Sequence, residues 1–562
     1  MTMRQIRILS VLVTLLLSCL GRAGQIVTCA PQDAGMSPDK LTRVSSAVQD
    51  LVAKGKIAGA SVLVARQGKV AFFETFGMMN KAEGKPVDED TIFRFYSMTK
   101  PVTSVAVMML VEQGKVTLDD PVSKYIAGFG DLKVSESGAL VPATRAMTVR
   151  DLLRHTSGLT YGFFSDTEVD ELYGKAGVLD RNTSLSAMAK KLGGMPLLYQ
   201  PGTRWHYSVS TDVLGHLVEV VSGETLDAFF QARIFEPLGM TDTGFYVPSK
   251  KVDNFAACYG PMQGGGLRVS DDPFKSKFLK KPGLLSGGGG LVSTMGDYLR
   301  FCTLLLNKGE LDGKRLLRSD TVDMMTKNQL PKTTSWNGEG FGLGFSVRIT
   351  EGRDDTGEYG WGGAASTHFW INPRHQLIVI ALSQIMPYSG QLEEAVKPLV
   401  YESIMKSSVP SIDLWKAVVQ GNLEAIRQHV SGGANLNAKE PTGGCTPLMV
   451  AALYGQTRAA KALIEAGANI DARSNSGGTA LHLAALFCRT RTLTLLLDRG
   501  ADMTVKDVRG DTALDIMTAP WTSELEGVYR YLGDILELQL DLGRLKTARP
   551  KIAAILREHK TE

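Results

Sequence analysis

Ser97-Met98-Thr99-Lys100-Pro101 sets a hydroxyl and an amine three residues apart at the point where a helix should begin. Residues i and i+3 share a helix face, so the two groups can meet. Val102, Val105, Met108, Met109 and Val111 follow at helical spacing, and Pro101 is tolerated only in a first turn, where its missing N–H is not needed. The spacing therefore predicts Ser97 at the amino end of a buried helix. A cation is disfavoured there by the helix dipole, and an ordinary capping box would carry Glu or Gln at position 100. A lysine pushed toward its neutral form in such a place can take a proton from a neighbouring hydroxyl, which is what an otherwise inert serine nucleophile requires. The spacing alone is a weak signal, because Ser37-Pro38-Asp39-Lys40 repeats it. That second copy precedes Leu41, Val44 and Val48 and reads as a plain N-cap.

Outward from this motif, the region 57–76 shows two β-rich runs, Gly59 to Ala65 and Val70 to Phe76, joined by Arg66-Gln67-Gly68-Lys69, which predicts a hairpin. A middle region of helical signals and loops follows. Strand character returns at Phe345 to Thr350, Ser366 to Ile371 and Gln376 to Leu382, the last two joined by the turn Asn372-Pro373, and a helix is expected from about Gln391 to Met405. Strands at both ends with helices between predict an α+β domain: an antiparallel sheet flanked by helices, with an inserted helical lobe.

Beyond about Ser408 the pattern becomes repetitive. Thr446-Pro447-Leu448, Thr479-Ala480-Leu481 and Thr512-Ala513-Leu514 recur every 33 residues, and Gly433-Ala434-Asn435, Gly467-Ala468-Asn469 and Gly500-Ala501-Asp502 mark turns in a second register. These segments resemble ankyrin repeats, with Thr479 to Ala485 close to the family consensus. The resemblance implies an all-α solenoid over about 412–560. Its first repeat, 413–438, is degenerate, Arg549 to Glu558 forms its last outer helix, and 520–547 is an insertion expected on a loop.

The length of 562 residues exceeds a single core, while 44% hydrophobic and 21% charged residues describe a globular protein. A net charge of +4 without basic runs gives no reason to expect a nucleic-acid partner. Arg4 and Arg7 precede the apolar stretch Ile8 to Leu20, which reads as a secretory signal over 1–24. Periplasmic or secreted placement is the expectation. Leu16-Leu17-Ser18-Cys19 also allows a lipoprotein signal, with a lipid on Cys19 then holding the protein at the membrane. The remaining cysteines, Cys29, Cys258, Cys302, Cys445 and Cys488, show no metal-ligand or paired spacing, and no cofactor is expected.

Four further stretches carry a second resemblance: Thr148 to Leu159, Pro201 to Val209, Phe235-Glu236-Pro237-Leu238-Gly239-Met240, and Gly360-Trp361-Gly362-Gly363-Ala364-Ala365-Ser366-Thr367. With Ser97 and Lys100 they resemble the serine β-lactamase and penicillin-binding-protein superfamily, class C β-lactamases and family VIII esterases above all, over about 34–405. The resemblance implies that Ser97 forms an acyl-enzyme, that Lys100 is its base and that Tyr207 passes the proton to the leaving group. A tyrosinate there needs a nearby cation, which Lys100 supplies. It further implies an oxyanion hole from the N–H groups of Ser97 and Ala364, with Gly362 and Gly363 admitting the substrate. Gly287 to Gly290 read as a tight loop near the site, since nothing that would make them a phosphate cradle follows.

The chain departs from the β-lactamase pattern at two substrate-facing positions. Trp361-Gly362-Gly363 stands where that pattern has Lys-Thr-Gly, and Val209 stands where the tyrosine motif ends in Asn. Both changes favour neutral esters over β-lactams. His155 and His206 are assigned no catalytic part. The expected organisation is a signal peptide at 1–24, a serine hydrolase domain at 31–406 and an ankyrin domain at 411–562 that binds a protein partner. The expected activity is ester hydrolysis, with a β-lactamase or D-amino-acid peptidase as the alternative on the same scaffold. A third reading makes the hydrolase domain inert and the repeats the working part.

Overall fold

The computed structural model describes residues 26–559 apart from 165, 332, 333, 335, 337, 406–411 and 537, and leaves out the side chain at 424. The signal segment and Cys19 lie outside the described residues. The chain divides into two compact units, Met1–Met405 and Lys406–Glu562.

The first unit is built on an eight-stranded antiparallel sheet. Its order is Gly340–Phe341, Ser346–Val347, Tyr359–Gly363, Thr367–Asn372, Leu377–Ser383, Gly59–Arg66, Lys69–Asn80 and Lys85–Pro86. The first and last parts of the domain thus meet in the middle, where Gly59–Arg66 pairs with Leu377–Ser383. The predicted hairpin is present. Arg66 pairs with Lys69, and Gln67 and Gly68 both take positive φ, 53° and 73°, as a two-residue turn matched to strand twist demands. The third predicted strand, Phe345 to Thr350, shrinks to Ser346–Val347, although the Arg348 N–H still reaches the Glu358 carbonyl at 2.8 Å.

Alternate residues of the central strands enter two different cores, as a period of two requires. Val62, Val64, Val379 and Ala381 face the helices Pro38–Ala53 and Gln391–Ser403, while Leu63, Ile378, Ile380 and Leu382 face the core that includes Met295–Leu306. Burial on both faces explains why Leu377–Ser383 is apolar almost throughout. The helical lobe packs Val149–Leu153 and Leu185–Gly193 on Ser210–Ser222, which lies on the helix Thr99–Glu112. That last helix is buried from Thr99 to Met108 without a break, so no side of that stretch faces solvent.

The second unit stacks helix pairs, Leu414–Val419 with Leu423–Ser431, Pro447–Tyr454 with Thr457–Glu465, and Ala480–Leu486 with Thr490–Asp498. Ala513–Thr518 then packs on Leu542–Glu558, so the last outer helix begins earlier than expected. The segment expected on a loop is a helix instead, Ser523–Ile535, started by the Thr522 side chain accepting the Leu525 N–H. It is tied to the repeats by the buried Tyr529, whose hydroxyl donates to the Leu486 carbonyl at 2.8 Å and accepts from Arg549 at 3.0 Å.

Each unit carries its own hydrophobic core. A chain ending at Met405 is therefore expected to melt in one cooperative transition with near-UV signal intact. A broad, non-cooperative melt by circular dichroism would show that the repeats complete the fold of the first unit.

Candidate active site

Ser97 sits in a 3₁₀ turn, Tyr96–Met98, immediately before the helix Thr99–Glu112. Tyr96 takes φ 42°, a left-handed conformation uncommon for a bulky residue. Lys100 is 1% exposed. Its Nζ lies 3.3 Å from Ser97 Oγ and donates to the Tyr161 hydroxyl at 2.6 Å and the Gly288 carbonyl at 2.7 Å. Two short bonds occupy two N–H groups and leave the third tetrahedral position aimed at Ser97. In the neutral amine that position is a lone pair facing the hydroxyl, the arrangement general-base activation needs. The competing motif does nothing comparable, since the exposed Lys40 donates to the Glu402 carbonyl at 2.9 Å and Ser37 is only the N-cap of Pro38–Ala53.

Tyr161 has no counterpart in the sequence reading. Burial, then Tyr207 and Asp212, push its pKa well above that of ordinary tyrosine, so it stays a phenol beside Lys100. The segment Thr148 to Leu159 is the mount that places it. Thr148 and Asp151 form a capping box, and the fully buried Asp151 carboxylate also accepts from Arg145, Arg154 and Thr156. Gly158 takes φ 84°, where a Cβ would stand 2.0 Å from the Tyr199 carbonyl oxygen. The signal available in sequence was a tyrosine two residues beyond Leu159 in that motif.

His155 is buried, and burial first, then Lys100, holds its pKa well below the usual histidine value. It packs its ring 5.0 Å from that of Tyr207. His206 bonds Thr160 Oγ1 at 3.0 Å.

Tyr207 reaches the site differently from the expectation. Its ring lies 4.5 Å beneath Lys100 Nζ, and its hydroxyl accepts from Trp361 Nε1 at 3.3 Å. Trp361 therefore holds Tyr207. The rings continue outward on both sides. Trp361 lies 5.5 Å from Trp336, which stacks on Trp205 at 4.6 Å, and on the other side Tyr161 stacks on Phe163 at 4.7 Å, with Phe164 next at 4.9 Å. Phe163 is 60% exposed. Val209 corrects the reading above: it is 0% exposed within the main core, its N–H bonded to Thr160, and it offers no surface to a substrate.

The glycines of Gly360 to Gly363 also have another purpose than admitting substrate. A Cβ on Gly362 would stand 2.6 Å from His368 Nδ1, and one on Gly363 2.2 Å from the Phe95 carbonyl oxygen. Gly363 lets the strand Tyr359–Gly363 run against the backbone two residues before Ser97, and Ala364 follows directly. Gly287 to Gly290 form the tight loop predicted and supply the Gly288 carbonyl to Lys100.

The chain belongs to the β-lactamase family, whose model, described as Beta-lactamase, matches residues 44–397, and a model described as Ankyrin repeats (3 copies) matches 414–507. It is a hydrolase of the β-lactamase fold carrying ankyrin repeats. An uncharacterized protein of Mycobacterium tuberculosis is 33% identical over 363 residues, 61% of this chain and 89% of that one. Esterase EstB of Burkholderia gladioli is 29% identical over 387 residues, 64% and 94% of the two chains. Among solved structures, EstCE1, a hydrolase with promiscuous acyltransferase activity, superposes with a TM-score of 0.56 at 28% identity over 64% of this chain and 98% of its own.

Proposed function

We propose that the protein is a serine hydrolase of neutral carboxylic esters that works through an acyl-enzyme on Ser97. The observation that carries this reading is Lys100 Nζ, held by two short bonds with its remaining position 3.3 Å from Ser97 Oγ, beside a cluster of aromatic side chains. As Oγ bonds the ester carbonyl carbon, its proton passes to Nζ and the carbonyl π pair moves to oxygen, toward the N–H groups of Ser97 and Ala364. Collapse expels the alkoxide, which takes the proton from Lys100 with Tyr207 or Tyr161 as relay. Water then repeats the sequence on the acyl group, releasing a carboxylic acid and restoring Ser97.

Neutral esters are favoured because position 361 presents an indole, tied to Tyr207, where a β-lactam carboxylate would need a cation. The likeness to EstB and EstCE1 supports the same choice. The deciding experiment is a hydrolysis panel of p-nitrophenyl butyrate, nitrocefin and D-alanyl peptides. Faster turnover of nitrocefin or peptide than of the ester overturns the ester assignment.

Trp361→Lys is expected to raise the ratio of nitrocefin to butyrate hydrolysis about ten- to a hundredfold, the worth of one charge-assisted hydrogen bond to the lactam carboxylate. The ratio is the measure, since losing the indole also loosens Tyr207. An unchanged ratio would show that the missing cation does not select the substrate.

We further propose that the repeats bind a protein partner and that residues 1–24 direct export. Amino-terminal sequencing of the mature protein, and mass analysis for a lipid on Cys19, test the second point.

A further inference from the structure

Asp212 lies in the first turn of Ser210–Ser222, where an acidic residue ordinarily faces water and answers the helix dipole. Here it is 0% exposed. Its Oδ1 accepts from the Ser286 hydroxyl and from the Gly288 N–H at 3.1 Å, and its Oδ2 has no hydrogen-bond partner among the described residues. The Gly288 residue joins it to the site, because its N–H bonds Asp212 and its carbonyl, on the far side of its Cα, accepts from Lys100 Nζ at 2.7 Å. Glycine is required at this junction. A Cβ on Gly288 would stand 2.4 Å from Asp212 Oδ2, and one on Gly287 2.7 Å from the Thr211 carbonyl oxygen. A buried carboxylate with one bare oxygen is costly unless it answers a charge. The groups facing Lys100 are Ser97 on its own turn, His155 and Tyr161 on the loop after Val149–Leu153, Tyr207 before the helix, and Asp212 on it. Burial keeps His155 neutral and Tyr161 a phenol. Asp212 is the carboxylate of this set, and Lys100 works against the burial that pushes the Asp212 carboxyl up.

We infer that Asp212 is a positioning residue for Lys100, holding the amine through the backbone N–H and carbonyl that flank the Gly288 Cα, and stabilising the ammonium that forms when Ser97 gives up its proton. The inference rests on the serine-nucleophile reading above. Removing the anion withdraws an interaction that favours the charged amine over the neutral one, so the reaction that needs the free amine persists to lower pH. The free amine also accepts the proton less readily.

The test follows the rate at which a fluorophosphonate labels Ser97 as a function of pH, a readout that needs nucleophile and base but no particular ester. In Asp212→Asn the acid limb is expected to move down by about one pH unit or more, with the plateau rate about tenfold lower. Ser286→Ala, which removes one donor from Oδ1 and keeps the carboxyl, is expected to move the limb by less than Asp212→Asn does. An acid limb unmoved in Asp212→Asn with a native-like melt overturns the inference, because a merely structural carboxylate changes stability and not the profile. If Asp212→Asn does not fold, an unmoved limb in Ser286→Ala overturns it. Wild-type protein that labels at Ser97 but hydrolyses no ester removes the substrate assignment and leaves this inference standing. Absence of labelling overturns both.

Discussion

Ser97→Ala protein is expected to fold as the wild type does and to hydrolyse p-nitrophenyl butyrate at the rate of the buffer, a loss of at least about a thousandfold. The serine is half-buried in a 3₁₀ turn whose conformation is set by Tyr96 and by Gly363 packing on Phe95, so deleting one oxygen leaves the turn in place. Ser37→Ala, at the other copy of the motif, is expected to leave activity unchanged. A fluorophosphonate adduct mapped by peptide mass analysis to any serine but Ser97 would sink the assignment.

The second large effect belongs to Lys100. Lys100→Met keeps an unbranched apolar stem as long as that of lysine up to Cε and removes the amine, and kcat/KM at neutral pH is expected to fall by about a thousandfold or more. The residual rate should climb with pH without reaching a plateau, because hydroxide then replaces the missing base. The variant also leaves the Tyr161 hydroxyl and the Gly288 carbonyl without their donor, at a cost of about 1–3 kcal/mol for each buried group. A lower melting temperature is therefore expected alongside the kinetic loss, and activity is to be read below it. Near-normal turnover with a pH plateau would show that another group is the base.

Much of this architecture is readable because it is local. The hairpin over 59–76 declares itself through alternating apolar residues and a turn that needs two left-handed residues, one of them Gly68. The repeats declare themselves by a constant step, since each helix pair buries the same face against its neighbour. Where the reading failed, the deciding contacts were distant. Residues 520–547 interrupt the repeat and look like a loop, yet Tyr529 finds a buried partner in Leu486, and that contact turns the segment into a packed helix. The resemblance puts Val209 at the substrate, because it stands where the family's tyrosine motif ends in Asn. The helix that starts at Ser210 turns its side chain into the core instead.

The same division runs through the site. Sequence by itself determined that a serine and a lysine share one turn at the start of a buried helix, because a separation of three residues is a geometric fact of any helix. It also determined that position 361 carries no cation and that a second, repetitive unit follows the first. Tertiary structure alone decided which groups surround the amine. Tyr161, Gly288 and Asp212 lie 61, 188 and 112 residues from Lys100 along the chain and meet it only because the helix Ser210–Ser222 packs on Thr99–Glu112 and the glycine loop closes over both. No pattern of periodicity encodes such a meeting. The surroundings of a buried amine, and with them its readiness to accept a proton, come from burial and charge supplied by segments far apart in the chain.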